Sequence, residues 1–165
     1  SRFSHAAGWE DVDNDGDQDL YVANDFGRNN LFRNDGGKFV DIAPEAGVED
    51  QAAGMSVAWA DYNKDGWMDL YVSNMFSSAG GRITYHRKFQ NKLGGDSRSE
   101  FRRHARGNTL FDNSAGGTFS DTSETAAVTL GRWAWSSNFI DFNNDGWEDI
   151  FVANGYVTNE DTGDL

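Results

Sequence analysis

The chain has 165 residues, with 27 Asp and Glu against 14 Lys and Arg, and a formal net charge of −13. Cysteine is absent, which excludes disulfides, thiolate catalysis and Cys-ligated metals, and the shortage of cations argues against nucleic acid as a partner. Six Trp and twelve Phe are enough for the core of one domain, while no apolar run approaches the roughly 18 residues of a membrane span, so no membrane insertion is expected.

The chain opens at Ser1 without a basic-then-apolar leader, so the expectation is that a signal peptide is absent or already removed. A short apolar segment then ends at Trp9 and reads as a strand. The acidic turn Asp11-Val12-Asp13-Asn14-Asp15-Gly16-Asp17-Gln18-Asp19 follows, and residues 20–24 read as a second strand. Leu31-Phe32-Arg33-Asn34, the turn Gly36-Gly37 and Phe39 add a hairpin.

The same order returns further on. Trp59 precedes Asp61-Tyr62-Asn63-Lys64-Asp65-Gly66-Trp67-Met68-Asp69, and Leu110-Phe111-Asp112-Asn113, Gly116-Gly117 and Phe119 repeat the hairpin. Phe139 precedes a third acidic turn, Asp141-Phe142-Asn143-Asn144-Asp145-Gly146-Trp147-Glu148-Asp149. The turns are spaced by 50 and then 80 residues, and the additional length falls almost wholly between Asn74 and Asn108. Four antiparallel strands per unit predict an all-β chain of β-propeller blades, about two and a half of them. Residues 1–165 form one propeller-repeat segment: 5–48 the first blade, 55–128 the second, and 133–155 half of a third.

Residues 77–107 are an insert of different character, with eight Lys and Arg against Asp96 and Glu100. Tyr85, Phe89 and Leu93 fall on one helical stripe. Ser97 with Glu100 resembles a capping box for a second short helix that stops at Gly107. The insert reads as a helical flap on an acidic body, and alternatively as a basic recognition loop.

The acidic turns carry the chemistry. Asp or Asn at positions 1, 3 and 5, a backbone carbonyl at position 7 and a carboxylate at position 9 present hard oxygens to one centre. Ca²⁺ takes six or more such ligands at about 2.3–2.6 Å, whereas Mg²⁺ keeps its waters. The candidate ligands are Asp11, Asp13, Asp15, Asp17 and Asp19; Asp61, Asn63, Asp65, Trp67 and Asp69; and Asp141, Asn143, Asp145, Trp147 and Asp149. Three Ca²⁺ ions would bring the net charge from −13 to −7. An EF-hand is excluded, since position 12 holds Val22, Val72 and Val152 where that motif needs Glu.

On these turns and flanking strands the chain resembles FG-GAP/VCBS repeats, related to the calcium-bearing blades of integrin α-chain propellers. The resemblance is closest to secreted bacterial proteins of the cartilage acidic protein type. It extends through the insert, at Ser77-Ser78-Ala79-Gly80, Arg82-Ile83-Thr84-Tyr85 and Ala105-Arg106-Gly107-Asn108. It implies an extracellular or cell-surface, bacterial, calcium-binding protein with structural or adhesive roles and no catalytic residues.

Two and a half blades leave apolar faces open. The expected partners are therefore further copies of the chain, joined head to tail as a fibre subunit, or the remaining blades of a longer chain. Two alternatives stand beside this. A glycan-binding or adhesion surface would use Trp67 and Trp147. A polysaccharide-active enzyme would use His86 and His104 with Arg82, Arg87, Arg102 and Arg103.

Overall fold

The structure is a computed structural model, and it describes the backbone of residues 3–90 and 95–155. The first sheet runs in the order β1 (Phe3–Glu10), β2 (Asp19–Phe26), β3 (Asn30–Asn34), β4 (Phe39–Asp41), all antiparallel. A single helical turn, α1 (Ala43–Ala46), leads to the second sheet, formed by β5 (Gly54–Ala60), β6 (Asp69–Asn74), β7 (Thr109–Asn113) and β8 (Phe119–Asp121). Helices α2 (Ser78–Tyr85) and α3 (Gly95–Arg106) lie between β6 and β7. The third sheet has two strands, β9 (Ala134–Ile140) and β10 (Asp149–Asn154).

The all-β propeller expected from the repeats, and from the likeness to integrin-type and cartilage acidic protein-type propellers, is corrected. Among the described residues there are three separate open antiparallel sheets and three helices, a mixed α/β arrangement in which no sheet closes or curls into a ring. The physical reason lies in the level at which the repeat acts. Turn chemistry and strand alternation dictate pairing within one unit, but closure depends on how successive sheets are set against one another, which a local pattern does not encode.

The sheets meet through apolar faces. Val12, Tyr21, Leu31 and Val48 of the first unit share one buried cluster with Leu70, Val72 and Phe111 of the second. Tyr71 and Leu110 share another with Phe139 of the third, flanked by Ile150 and Val152. The central sheet is thus covered on both sides, and every residue of β6 is buried. In the equivalent strand β2 only Asp19, Tyr21, Ala23 and Asn24 are buried, and β10 is buried nowhere. Strand sequences that are nearly identical, Asp-Leu-Tyr-Val in β2 and β6, have different exposure because only one of them has neighbours on both faces.

The insert departs from the expected stripe. Helix α2 is capped by Ser77, whose hydroxyl accepts the Gly80 N–H at 2.9 Å, and it ends at Tyr85 because His86 is extended (φ −68°, ψ 135°). Phe89 therefore lies beyond the helix, where its ring meets Phe101 of α3 edge-on at 5.5 Å. Leu93 lies outside the described residues. Helix α3 already runs from Gly95, so Ser97 sits inside its first turn rather than at its cap. Its far end is tied to the sheets: Arg103 pairs with Asp50 at 3.1 Å and Asp121 at 3.3 Å, and Arg106 with Asp121 at 2.9 Å. Asp50 is fully buried and also accepts from Asn74 Nδ2 and Thr109 Oγ1, so Arg103 neutralises a charge that burial would otherwise penalise.

Candidate metal centres in the acidic turns

Each acidic turn joins the first two strands of its sheet, and all three have the same backbone. Position 4 is left-handed in Asn14 (φ 57°), Lys64 (φ 61°) and Asn144 (φ 57°). Position 6 is left-handed in Gly16 (φ 94°), Gly66 (φ 90°) and Gly146 (φ 85°), a conformation that an L side chain adopts only under strain. In the first turn the side chains of positions 1, 3 and 5 come together.

Position 1 organises the turn. Asp11 accepts the N–H of Asp15 (3.1 Å) on one oxygen and of Gly16 (2.9 Å) on the other. Asp61 does the same for Asp65 and Gly66, both at 2.9 Å, and Asp141 for Asp145 (3.1 Å) and Gly146 (2.8 Å). Position 5 accepts the N–H of position 7: Asp17 to Asp15, Trp67 to Asp65, Trp147 to Asp145, at 2.8–2.9 Å. These bonds lower the Asp145 carboxyl, through the Trp147 N–H first and Asn143 second.

Position 9 ties the turn to the sheet. Asp19 is fully buried, and its carboxylate accepts Val12 N–H at 3.0 Å and Asn34 N–H at 2.8 Å. Asp69 repeats this with Tyr62 (3.3 Å) and Asn113 (2.7 Å). Asp149 accepts from Phe142 at 3.2 Å. Burial raises the Asp19 carboxyl and pushes that of Asp69 up to about 7.

Asn34 and Asn113 had no assigned role in the sequence reading. Their amides donate to the carbonyls of Gln18 (3.1 Å) and Met68 (3.2 Å), closing the turn onto the third strand. The signal for them was available, since both end the repeated Leu-Phe-x-Asn. The left-handed position 4 had no such signal, because Asn and Lys share no local motif.

The first turn is the most concentrated. Carboxylate oxygens of Asp11, Asp13 and Asp15 lie within 4.8 Å of one another, so this cluster could hold a divalent cation. Asp13 Oδ1 is buried without a hydrogen-bond partner. Its carboxyl is raised by burial and then by the charges of Asp15 and Asp11. An oxygen withdrawn from water, unpartnered and beside two further carboxylates is unfavourable unless a cation completes it. The donor set, all hard oxygens, fits Ca²⁺. The Asp17 side chain instead accepts the Gly36 N–H at 2.8 Å. In the other two turns Asn63 and Asn143 stand at position 3. Asn63 donates to Asp112 at 3.1 Å and Asn143 to Asp145 at 2.9 Å.

The remaining sequence candidates are dispersed. Trp147 is half exposed, with the Lys64 ammonium 4.0 Å from its ring centre, and Trp67 is half buried. His104 Nδ1 meets the Gln51 carbonyl at 2.9 Å, while His86 Nδ1 accepts the Lys88 N–H at 3.2 Å.

Repeated strand–acidic turn–strand units, the first with three carboxylates close enough to hold a divalent cation, define a repeat protein. The FG-GAP-like repeat family matches residues 11–72 and 97–152, well over half of the chain, and the chain belongs to that family. No curated protein matches it.

Proposed function

We propose that the chain is a non-catalytic structural and interaction module that binds Ca²⁺ in all three acidic turns and acts outside the cell or on its surface, associating head to tail with further copies. The observation that carries this reading is the first turn: three carboxylates within 4.8 Å, with an orphaned, buried oxygen on Asp13. The other two turns support it by sharing the left-handed residues at positions 4 and 6 and the position-1 hydrogen bonds. Asp11, Asp13 and Asp15, then Asp61, Asn63 and Asp65, then Asp141, Asn143 and Asp145 would supply the side-chain oxygens. Position 7 would add a carbonyl, and Asp19, Asp69 and Asp149 would close each turn.

An extracellular setting agrees with the chemistry. Extracellular calcium modules bind at about 10⁻⁴–10⁻³ M and would be empty at cytosolic calcium levels. At 1 mM Ca²⁺, one to ten times such a Kd, one site adds about 0.4–1.4 kcal/mol and three sites about 1–4 kcal/mol, a large share of a domain's net stability. Thermal unfolding in EGTA and in millimolar Ca²⁺ tests the reading. A rise of several degrees with Ca²⁺ is expected, and an unchanged melting temperature would refute it.

A further inference from the structure

The helices of the insert and the connections at one end of the first two sheets enclose a cavity of about 610 Å³. Small-ligand sites commonly measure roughly 300–1,000 Å³. None of the residues lining it belongs to an acidic turn. Helices α2 and α3 supply Gly81, Tyr85 and Ala105, which with Phe76 make its apolar wall. Glu49 and Gln51 enter from the connection between α1 and β5, and Glu124 from the segment after β8.

Four arginines line the cavity, and three of them are committed. Arg28 pairs with Glu49 and, at 3.4 Å, with Glu100. Arg103 holds the buried Asp50 and Asp121, and Arg106 holds Asp121 at 2.9 Å with Glu124 at 3.9 Å. Arg102 differs. Among the described residues no carboxylate pairs with it. Its guanidinium lies 4.4 Å from the centre of the exposed Tyr85 ring. Its Nε is withdrawn from water without an acceptor, and so is the Nε of Arg106 one turn further along α3. A guanidinium stacked on a ring keeps its N–H edge for an acceptor in its own plane, and a carboxylate matches that edge with two parallel bonds.

The balance of charge in the cavity selects the ligand. One uncommitted guanidinium beside Glu49, Glu100 and Glu124 fits a single negative charge, whereas a phosphate dianion or an acidic peptide would bring further charge against three carboxylates. Those carboxylates have lone pairs beyond their present partners. Glu100 accepts from Arg28 and from Gln51 Nε2 at 3.3 Å, and Glu124 is 75% exposed. They suit hydroxyl donors. A ring with an apolar face, hydroxyls on its edge and one carboxylate satisfies the wall, the glutamates and Arg102 together.

We propose that this cavity binds a sugar acid, with its carboxylate on Arg102, its hydroxyls on the glutamates and its ring against the apolar wall. A free sugar acid and a residue of an acidic polysaccharide share this chemistry. Binding there does not depend on Ca²⁺ filling the acidic turns.

Titration of the isotope-labelled full chain with glucuronate at fixed millimolar Ca²⁺, following the arginine Nε–H signals by NMR, tests this. The Arg102 and Arg106 signals are expected to shift and saturate. Arg102→Gln is expected to weaken binding roughly tenfold or more, as for loss of a charged hydrogen bond, and glucose, which lacks the carboxylate, to bind the unaltered chain weaker by a similar factor. A melting temperature near that of the unaltered chain verifies that the variant folds, and the glucose comparison needs no variant. A triuronide that binds more tightly than glucuronate identifies a polysaccharide as the source, and equal affinity identifies the free sugar acid; either upholds the site. Arginine signals that do not move up to about 20 mM glucuronate, well above a millimolar Kd, overturn the proposal. So do an unchanged affinity in Arg102→Gln, glucose binding as tightly as glucuronate, or inorganic sulfate or N-acetylglutamate amide doing so, which would make the cavity a general anion site or one for acidic peptides.

Discussion

Replacing Asp19 by Ala removes a carboxylate that is buried and accepts two backbone N–H groups, Val12 at 3.0 Å and Asn34 at 2.8 Å. Each donor is left inside the protein without a partner, at about 1–3 kcal/mol apiece, so the gross loss is about 2–6 kcal/mol. Part of it is recovered, because burial already penalises the Asp19 charge and raises its carboxyl. The expected net loss is therefore about 2–4 kcal/mol, or very roughly 4–16 °C for a chain of this size. Asp69→Ala should behave alike, since Tyr62 and Asn113 take the places of Val12 and Asn34. Asp149 is half buried and accepts only the Phe142 N–H among the described residues, so Asp149→Ala should cost less than about 1 kcal/mol. Urea unfolding followed by tryptophan fluorescence in EGTA isolates this effect, because without metal no ligand is lost. If Asp149→Ala were as costly as Asp19→Ala, or Asp19→Ala fell within about 0.5 kcal/mol of the unaltered chain, position 9 would not be tying the turns to the sheets.

Asp13→Asn should change sign with buffer. In EGTA it relieves repulsion between clustered carboxylates, whose upper scale is about 4 kcal/mol per pair at 4 Å, and so raises the melting temperature; in Ca²⁺ it shrinks the calcium-induced rise. A melting shift of one sign in both buffers would remove Asp13 from the cation cluster. Gly107→Ala should prevent stable folding, since φ is +104° and the added carbon would lie 2.4 Å from the Thr129 carbonyl oxygen; a melting curve like that of the unaltered chain would contradict this. Burial alone would raise the Asp121 carboxyl, but hydrogen bonds from Ser123 and Arg106 and the Arg106 charge outweigh it and hold the group below its ordinary value. A lowered carboxyl adds stability that is complete above the unfolded value near 3.8 and is lost as pH falls through the lower folded value. Acidification below about pH 4 should therefore lower the protection factors, that is, exchange measured against the intrinsic rate at each pH, in residues 97–106, and Asp121→Asn should remove that step.

How much of the site was legible follows from how local its causes are. The three turns could be read from sequence because each is built by nine consecutive residues. A left-handed glycine, a position-1 carboxylate and a position-9 acid act on backbone a few residues away. The part played by Asn34 and Asn113 was hidden, because they reach the turn from a strand paired 15 residues or more further along the chain. The helices of the insert were legible from composition and spacing, but not their limits. His86 turns extended after Tyr85, and Phe89 satisfies its apolar surface against Phe101 rather than along a stripe.

The amino-acid sequence by itself determined the repeat, the hairpin pairing within each unit, the acidic turns and the oxygen chemistry they offer. These depend on alternation, turn residues and short-range hydrogen bonds, all of which act within one unit. Only the tertiary structure decided that the units remain three open sheets, and which copy of a shared pattern is buried. Trp9 and Phe139 hold equivalent places before their turns, yet one is 55% exposed and the other 8%. The difference comes from the neighbour: Phe139 has the Tyr71 ring beside it and Trp9 has no preceding sheet in the described structure. Burial belongs to a pair of surfaces, and one strand's sequence specifies only its own side of the contact.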